Sequence, residues 1–155
     1  YTMWKKARKL SGTSAGVQMI WGIQWDETLK WLIDTGEKTY AEIGSDSTSW
    51  GNYRNNSFTY YTNTSKSTAT KSSGSISRIP SGAYEGANAN NVFDLVGNVW
   101  DWTCESDSSG TGGYRYFRGS YCLNSGYDFS AADRYGYSPD YSVNTVGLRC
   151  SLFIK

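Results

Sequence analysis

The C-terminal third of this chain sets a short fixed frame around positions that carry little core-forming character of their own. The frame is Arg118-Gly119-Ser120, then Ala132, Arg134 and Pro139, then Gly147-Leu148-Arg149. Between these anchors lie mostly Tyr, Asn, Ser, Asp and Gly, with no Lys or Glu. Such a stretch reads as a binding surface: tyrosine rings offer contact area at low entropic cost, and Asn, Ser and Asp offer adjustable hydrogen bonds. The core must come from elsewhere, and it must be largely aromatic. Seven Trp and thirteen Tyr stand among sparse Leu, Ile and Val, and each buried ring hides a large apolar area.

At 155 residues the chain is long enough for one domain with a real core. A net charge of +1 makes no electrostatic case for nucleic acid or a membrane surface. No stretch is long and apolar enough for a membrane-spanning helix, and no signal peptide opens the chain. The first residue is Tyr, so the chain is expected to be part of a longer polypeptide. There is no histidine, which removes His-based acid–base catalysis, Ser-His-Asp and Cys-His systems, and histidine metal sites. Cys104, Cys122 and Cys150 have neither zinc-site nor CxxC spacing. They read equally as one disulfide plus a thiol or as free thiols.

Residues 17–36 give the clearest helix pattern. Trp21, Trp25, Leu29, Leu32 and Ile33 recur at three/four spacing, and Gly36 stands where a left-handed cap belongs. Residues 1–16 form an N-terminal extension or truncated basic helix, and the main domain is expected over 17–155. Residues 45–90 are rich in Ser, Thr, Asn and Gly, with 63–77 read as exposed loop and Trp50 as an anchor. Alternation then places Trp100, Trp102 and Cys104 on one face of a strand. A second strand is expected within 114–121. A third, over 146–154, groups Leu148, Cys150, Leu152 and Ile154. The predicted class is α+β: a small, mostly antiparallel sheet with helices and long irregular loops.

FDLVGNVWDWT at 93–103, RGSY at 118–121, Ala132-Asp133-Arg134 and VGLRC at 146–150 occur in that order. Together they resemble the formylglycine-generating-enzyme-like (sulfatase-modifying factor) domain, a branch of the C-type lectin fold. The resemblance covers about residues 17–155. RGSY departs from the family pattern, which has a second glycine where Ser120 stands. One branch of the family oxidises a substrate cysteine and implies two active-site cysteines after this motif. Here that stretch has Cys122 alone, with Tyr127-Asp128-Phe129 where the second is expected. A branch using iron-dependent sulfur chemistry relies on histidines, which this chain lacks. The layout is most similar to variable proteins of diversity-generating retroelements, whose C-terminal surface is rewritten at adenine-containing codons. Such codons do not yield Lys, Glu, Gln, Met or Trp, and none of these occurs between Gly119 and Ile154.

The resemblance implies a non-enzymatic binding or display domain, with no required cofactor, that recognises a protein or cell-surface ligand. Its setting would be a bacterial surface, a secreted protein or a phage tail, without direct membrane insertion. The alternatives are a formylglycine-generating-type oxidase and a purely structural phage-tail or surface domain. The candidate contact residues lie within a ligand-binding region spanning about 118–150. They are Tyr121, Leu123, Asn124, Tyr127, Asp128, Asp133, Tyr135, Tyr137, Ser138, Tyr141, Val143, Asn144 and Thr145. Arg118, Arg134 and Arg149 read as structural, tied to carbonyls or carboxylates. The family also implies a structural calcium ion held by Asp94, Gly97, Val99 and Asp101, since hard oxygen donors suit that ion. The same residues read rather as the plain start of a strand, with Asp94 capping a turn and Asp101 solvated or paired with an arginine. Trp100 and Trp102 are expected in the core rather than as sugar platforms.

Overall fold

The computed structural model describes residues 2–12, 14–107 and 113–154. Helix α1 (Thr2–Lys9) leads into strand β1 (Ala15–Met19), and helix α2 (Gly22–Asp34) follows after two residues. The helix pattern predicted from residue 17 therefore begins five residues late. Val17, Gln18 and Met19 belong to a strand that pairs antiparallel with the chain's last strand, Val17 opposite Leu152. Pairing across the chain outweighs the local helical spacing there. Trp21 is consequently a half-exposed helix cap rather than a core residue, its amide donating to Gln24 Oε1 at 2.9 Å. Trp25, Leu29 and Leu32 do form the buried face. Gly36, at φ +74°, ends the helix with its N–H on the Ile33 carbonyl.

Helix α3 (Tyr40–Gly44) starts from a reciprocal cap, Thr39 Oγ1 accepting from the Glu42 amide and Glu42 accepting from the Thr39 amide. The polar middle is more ordered than its composition predicts. Strands β2 (Phe58–Tyr61) and β3 (Thr68–Lys71) form a hairpin whose second strand lies inside the 63–77 stretch read as loop. Lys71 is buried at its end, donating from Nζ to the carbonyls of Tyr53 and Asn56 at 2.6 and 2.9 Å. The short pair β4 (Asn88–Ala89) and β5 (Val92–Phe93) precedes the main sheet.

The main sheet runs β8 (Tyr135–Tyr137), β7 (Arg115–Arg118), β6 (Trp100–Ser106), β9 (Val146–Leu148). Its first two pairings are antiparallel and β6–β9 is parallel. The strand expected over 146–154 divides at Arg149. β9 joins the main sheet, and β10 (Cys150–Ile154) turns to pair with β1. Leu152 and Ile154 are exposed in consequence, so alternation alone does not place them in a core.

The GN of the 93–103 motif has a steric reason. Gly97 (φ +73°) brings its Cα against the Asn52 backbone, where a Cβ would lie 2.6 Å from the Asn52 nitrogen. Asn98, also left-handed, exchanges hydrogen bonds with both backbone groups of Ile79 at 3.0 Å and accepts from Asn52 Nδ2. One core cluster sits under α2, around Trp25, Leu32, Trp50, Tyr53 and Leu95. The other packs Ala7, Met19, Trp100, Trp102, Phe117 and Val146 around the main sheet. The buried Ala7 makes α1 part of that second cluster.

Candidate ligand-binding site

Alternation along β6 puts Trp100 and Trp102 on one face, and Trp100 becomes the floor of a cavity of about 350 Å³. Phe117 of β7 and Phe129 add to that floor. Tyr121, Tyr135, Tyr137 and Tyr141 form the walls, with Asn124, Thr145 and Val146 between them. The rings are mutually ordered. Trp100 stacks on Tyr121 and on Tyr135, each at 6.0 Å between centroids, and meets Phe129 edge-on at 5.8 Å. Tyr137 lies parallel to Phe117 at 6.3 Å and touches Tyr141 at 4.1 Å. Offset-stacked and edge-on pairs of this kind fix ring orientation without any polar contact.

The hydroxyls of Tyr121, Tyr135, Tyr137 and Tyr141 make no hydrogen bond among the described residues, so their polar tips remain available. The lining contains no carboxylate, amine or thiol. Such a surface can stack and hydrogen-bond a guest, and it has no strong general acid or base to offer one.

Six of the thirteen candidate contact residues converge here: Tyr121, Asn124, Tyr135, Tyr137, Tyr141 and Thr145. The rest lie outside the cavity. Leu123 and the well-exposed Tyr127 sit on a loop pinned to residues 47–55, where the Ser47 amide donates to the Gly126 carbonyl at 3.0 Å. Asp128 accepts from Ser125 Oγ, and Asp133 accepts from the amide and hydroxyl of Ser130, so both carboxylates close turns. The Ser138 carbonyl accepts from the Tyr141 amide at 2.9 Å, shaping the turn that aims Tyr141. Val143 is on the exposed loop, and the Asn144 carbonyl receives Arg78. Phe117 and Phe129, together with the floor role of Trp100, are not apparent from sequence. The alternation that puts Trp100 in the core also puts its edge under the loop, and nothing local distinguishes the two.

The frame is held by ions. Arg118, fully buried, bonds Asp26 of α2 and faces the Trp25 ring at 5.7 Å. Arg134 bridges the same Asp26 to Glu105 on β6, at 2.9 Å to the latter. Tyr53 and Trp25 donate to the carbonyls of Phe129 and Ala131, at 3.0 and 3.1 Å, and anchor the segment beneath the cavity. Gly119 (φ +80°) passes so close to the Leu95 carbonyl that a Cβ would lie 2.4 Å from it. Ser120 is left-handed too, at φ +66°. That backbone explains why a second glycine would be at home in RGSY. Ser120 is retained with its hydroxyl accepting from Asn124 Nδ2 at 3.1 Å.

Of the residues considered for calcium, both carboxylates are engaged within the protein. Asp94 accepts from Ser81 Oγ and the Gly82 amide, at 2.7 and 2.6 Å, holding a loop. Asp101 faces Arg149, with Nε 3.4 Å from its carboxylate. Arg149 Nη2 donates to the carbonyls of Phe93 and Asp94 at 2.9 Å. The Arg149 guanidinium therefore already brings positive charge to the Asp101 carboxylate and to the carbonyls of Phe93 and Asp94. Burial pushes the Asp101 carboxyl up to about 6, against the opposing pull of Arg149. Among the described residues, no group of three His, Cys, Asp or Glu side chains could hold a metal ion.

All three cysteines are free. Cys122 is wholly buried with Sγ 3.2 Å from the Ile76 carbonyl, and burial pushes its thiol up. Tyr127, Asp128 and Phe129 fill the stretch where a partner cysteine would be expected, so a two-thiolate copper site has no second donor there.

The family model of the sulfatase-modifying factor enzyme 1-like domain matches residues 4–152. Over 78 residues the chain is 32% identical to the inactive C-alpha-formylglycine-generating enzyme 2 of Bos taurus, covering 46% of this chain and 26% of that protein. The chain thus matches about a quarter of the length of this curated relative. The crystal structure of CarF superposes with a TM-score of 0.59 at 18% identity, covering 94% of this chain and 49% of CarF. At that identity the likeness is one of fold.

Proposed function

Starting from a chain that belongs to the sulfatase-modifying factor enzyme 1-like family, we propose a non-catalytic recognition domain, a C-type lectin-type scaffold whose tyrosine-lined cavity binds a protein or cell-surface ligand. One observation carries the reading. Four tyrosines with uncommitted hydroxyls surround an aromatic floor, and the frame that fixes them makes its own bonds elsewhere. Substituting the walls therefore leaves the frame's bonds intact. Specificity can change while the core stays fixed. The relative named as an inactive enzyme is compatible with a role without turnover. The absence of a second thiol donor near Cys122 weighs on the same side.

The finer reading is that of a diversity-generating retroelement variable protein, displayed on a bacterial surface, secreted, or carried on a phage tail. It rests on the residue repertoire of 119–154 and on the concentration of cavity walls in that segment. A near-copy of the coding segment for 118–150, beside a reverse-transcriptase gene and differing mainly at adenines, is the expected genomic signature. A coding region with no such template refutes the retroelement origin and leaves the recognition reading standing. Copper loading and a cysteine-containing peptide test the catalytic alternative. No aldehyde product is expected, and turnover would overturn the proposal. Tyr135→Ser, Tyr137→Ser and Tyr141→Ser together should abolish binding of a protein selected for recognition by this tyrosine surface.

A further inference from the structure

A second cavity, of about 620 Å³, lies on the other side of Tyr141. Helix α1, strands β1 and β6 and the turn at 139–142 contribute to its lining. Met3 and Trp4 come from α1, Met19 from β1, Trp102 and Cys104 from β6. This volume falls in the range of roughly 300–1,000 Å³ typical of small-molecule sites, which are likewise lined by apolar and aromatic side chains. Methionines and indole rings in one lining favour an aromatic guest, because thioether–ring contacts are attractive and the flexible chains adapt to its outline. Trp4 is braced by Arg8, whose guanidinium carbon lies 4.9 Å from its ring centroid.

The polar part of the lining sets the charge of the guest. Lys6 and Arg115 stand against the single acid Asp140, an excess of one positive charge. Arg115 commits Nη1 to the carbonyls of Gly113 and Tyr114, at 3.5 and 3.2 Å. Its other guanidinium N–H groups, like the Lys6 ammonium, have no partner among the described residues. A carboxylate would satisfy both cations, and an aromatic ring would fill the Met/Trp walls. We propose that this cavity is a second ligand site, distinct from the tyrosine cavity, that takes a small aromatic carboxylate. The two sites share Tyr141 alone, and this one does not depend on recognition at the other.

Cys104 in the wall is a built-in reporter. The test uses the chain with Cys150→Ser, which removes the exposed thiol, while Cys122 is wholly buried. Burial pushes the Cys104 thiol up, so alkylation by iodoacetamide is followed at about pH 8.5, where more of it is thiolate. Indole-3-propionate should slow Cys104 alkylation saturably, by about five-fold at several times its Kd. Indole-3-propanamide, of the same shape without the charge, should protect far less. Lys6→Gln with Arg115→Gln should erase the difference between acid and amide, whereas Tyr135→Ser should leave it intact. Equal protection by acid and amide in the parent chain, or none by either, would overturn the proposal whether or not the double variant folds.

Discussion

At the level of single residues, rings that hold the fold are distinct from rings that face a ligand. Tyr135, Tyr137 and Tyr141 are 46%, 39% and 36% exposed, while Trp100 beneath them is 6% exposed. Tyr141→Ser should lose only its ring pairs with Phe117 and Tyr137, at about 0.5–1.5 kcal/mol each. Trp100→Ala should cost about 3–5 kcal/mol through cavity formation. Denaturant titration of the two variants checks the contrast. Asp101 gives a second prediction of this kind. Its folded-state carboxyl is raised to about 6 from a reference value of 3.8, so the folded state holds the proton more tightly than the unfolded one. The stabilisation is complete below pH 3.8 and is lost as pH rises through about 6. Asp101→Asn removes that fall. Stability curves of the two proteins between about pH 4 and pH 7 should therefore differ in slope, the wild type declining relative to the variant. Parallel curves would show that the carboxyl is not desolvated as described.

Among the elements, the strength of the sequence signal follows how local its cause is. The α2 face and its Gly36 end are legible because both depend on residues within two turns. The start of that helix is not, because β1 is decided by pairing with residues about 135 positions away. The same long-range pairing splits the last strand at Arg149. Of the candidate site, the tyrosines are legible from composition and from the frame around them. The floor is not, because Phe117 and Phe129 become a floor only once β7 and the 121–131 loop meet over Trp100. Turn geometry is testable here as well. Gly119→Ala should destabilise by more than about 1 kcal/mol, from the left-handed strain before any clash is counted. At the left-handed Ser120, Ser120→Gly should be tolerated better than Ser120→Ala. Glycine relieves the strain that alanine keeps, and both lose the hydroxyl that Asn124 uses. Thermal unfolding of the pair gives the order directly. The Asp26 bridge joins α2 to the frame, and removing one partner of a buried arginine is costly. Asp26→Ala should lose about 3 kcal/mol, somewhat moderated by the aspartate's own exposure.

Taken as a whole, the molecule divides its labour between a bonded frame and an aromatic wall. Arg118, Arg134 and Arg149 are tied to carboxylates and carbonyls on α2, β6 and the 93–94 turn. The tyrosines stand clear of that network. This division is tested by a pair of displayed libraries scored for protease resistance and for selection of binders to a defined protein target. One library randomises Tyr121, Tyr135, Tyr137, Tyr141 and Thr145. The other randomises the frame at Arg118, Gly119, Leu148 and Arg149. Most members of the first library should stay folded and yield target-specific binders, while most of the second are digested. Loss of the fold at equal frequency in both libraries would refute the division between frame and wall.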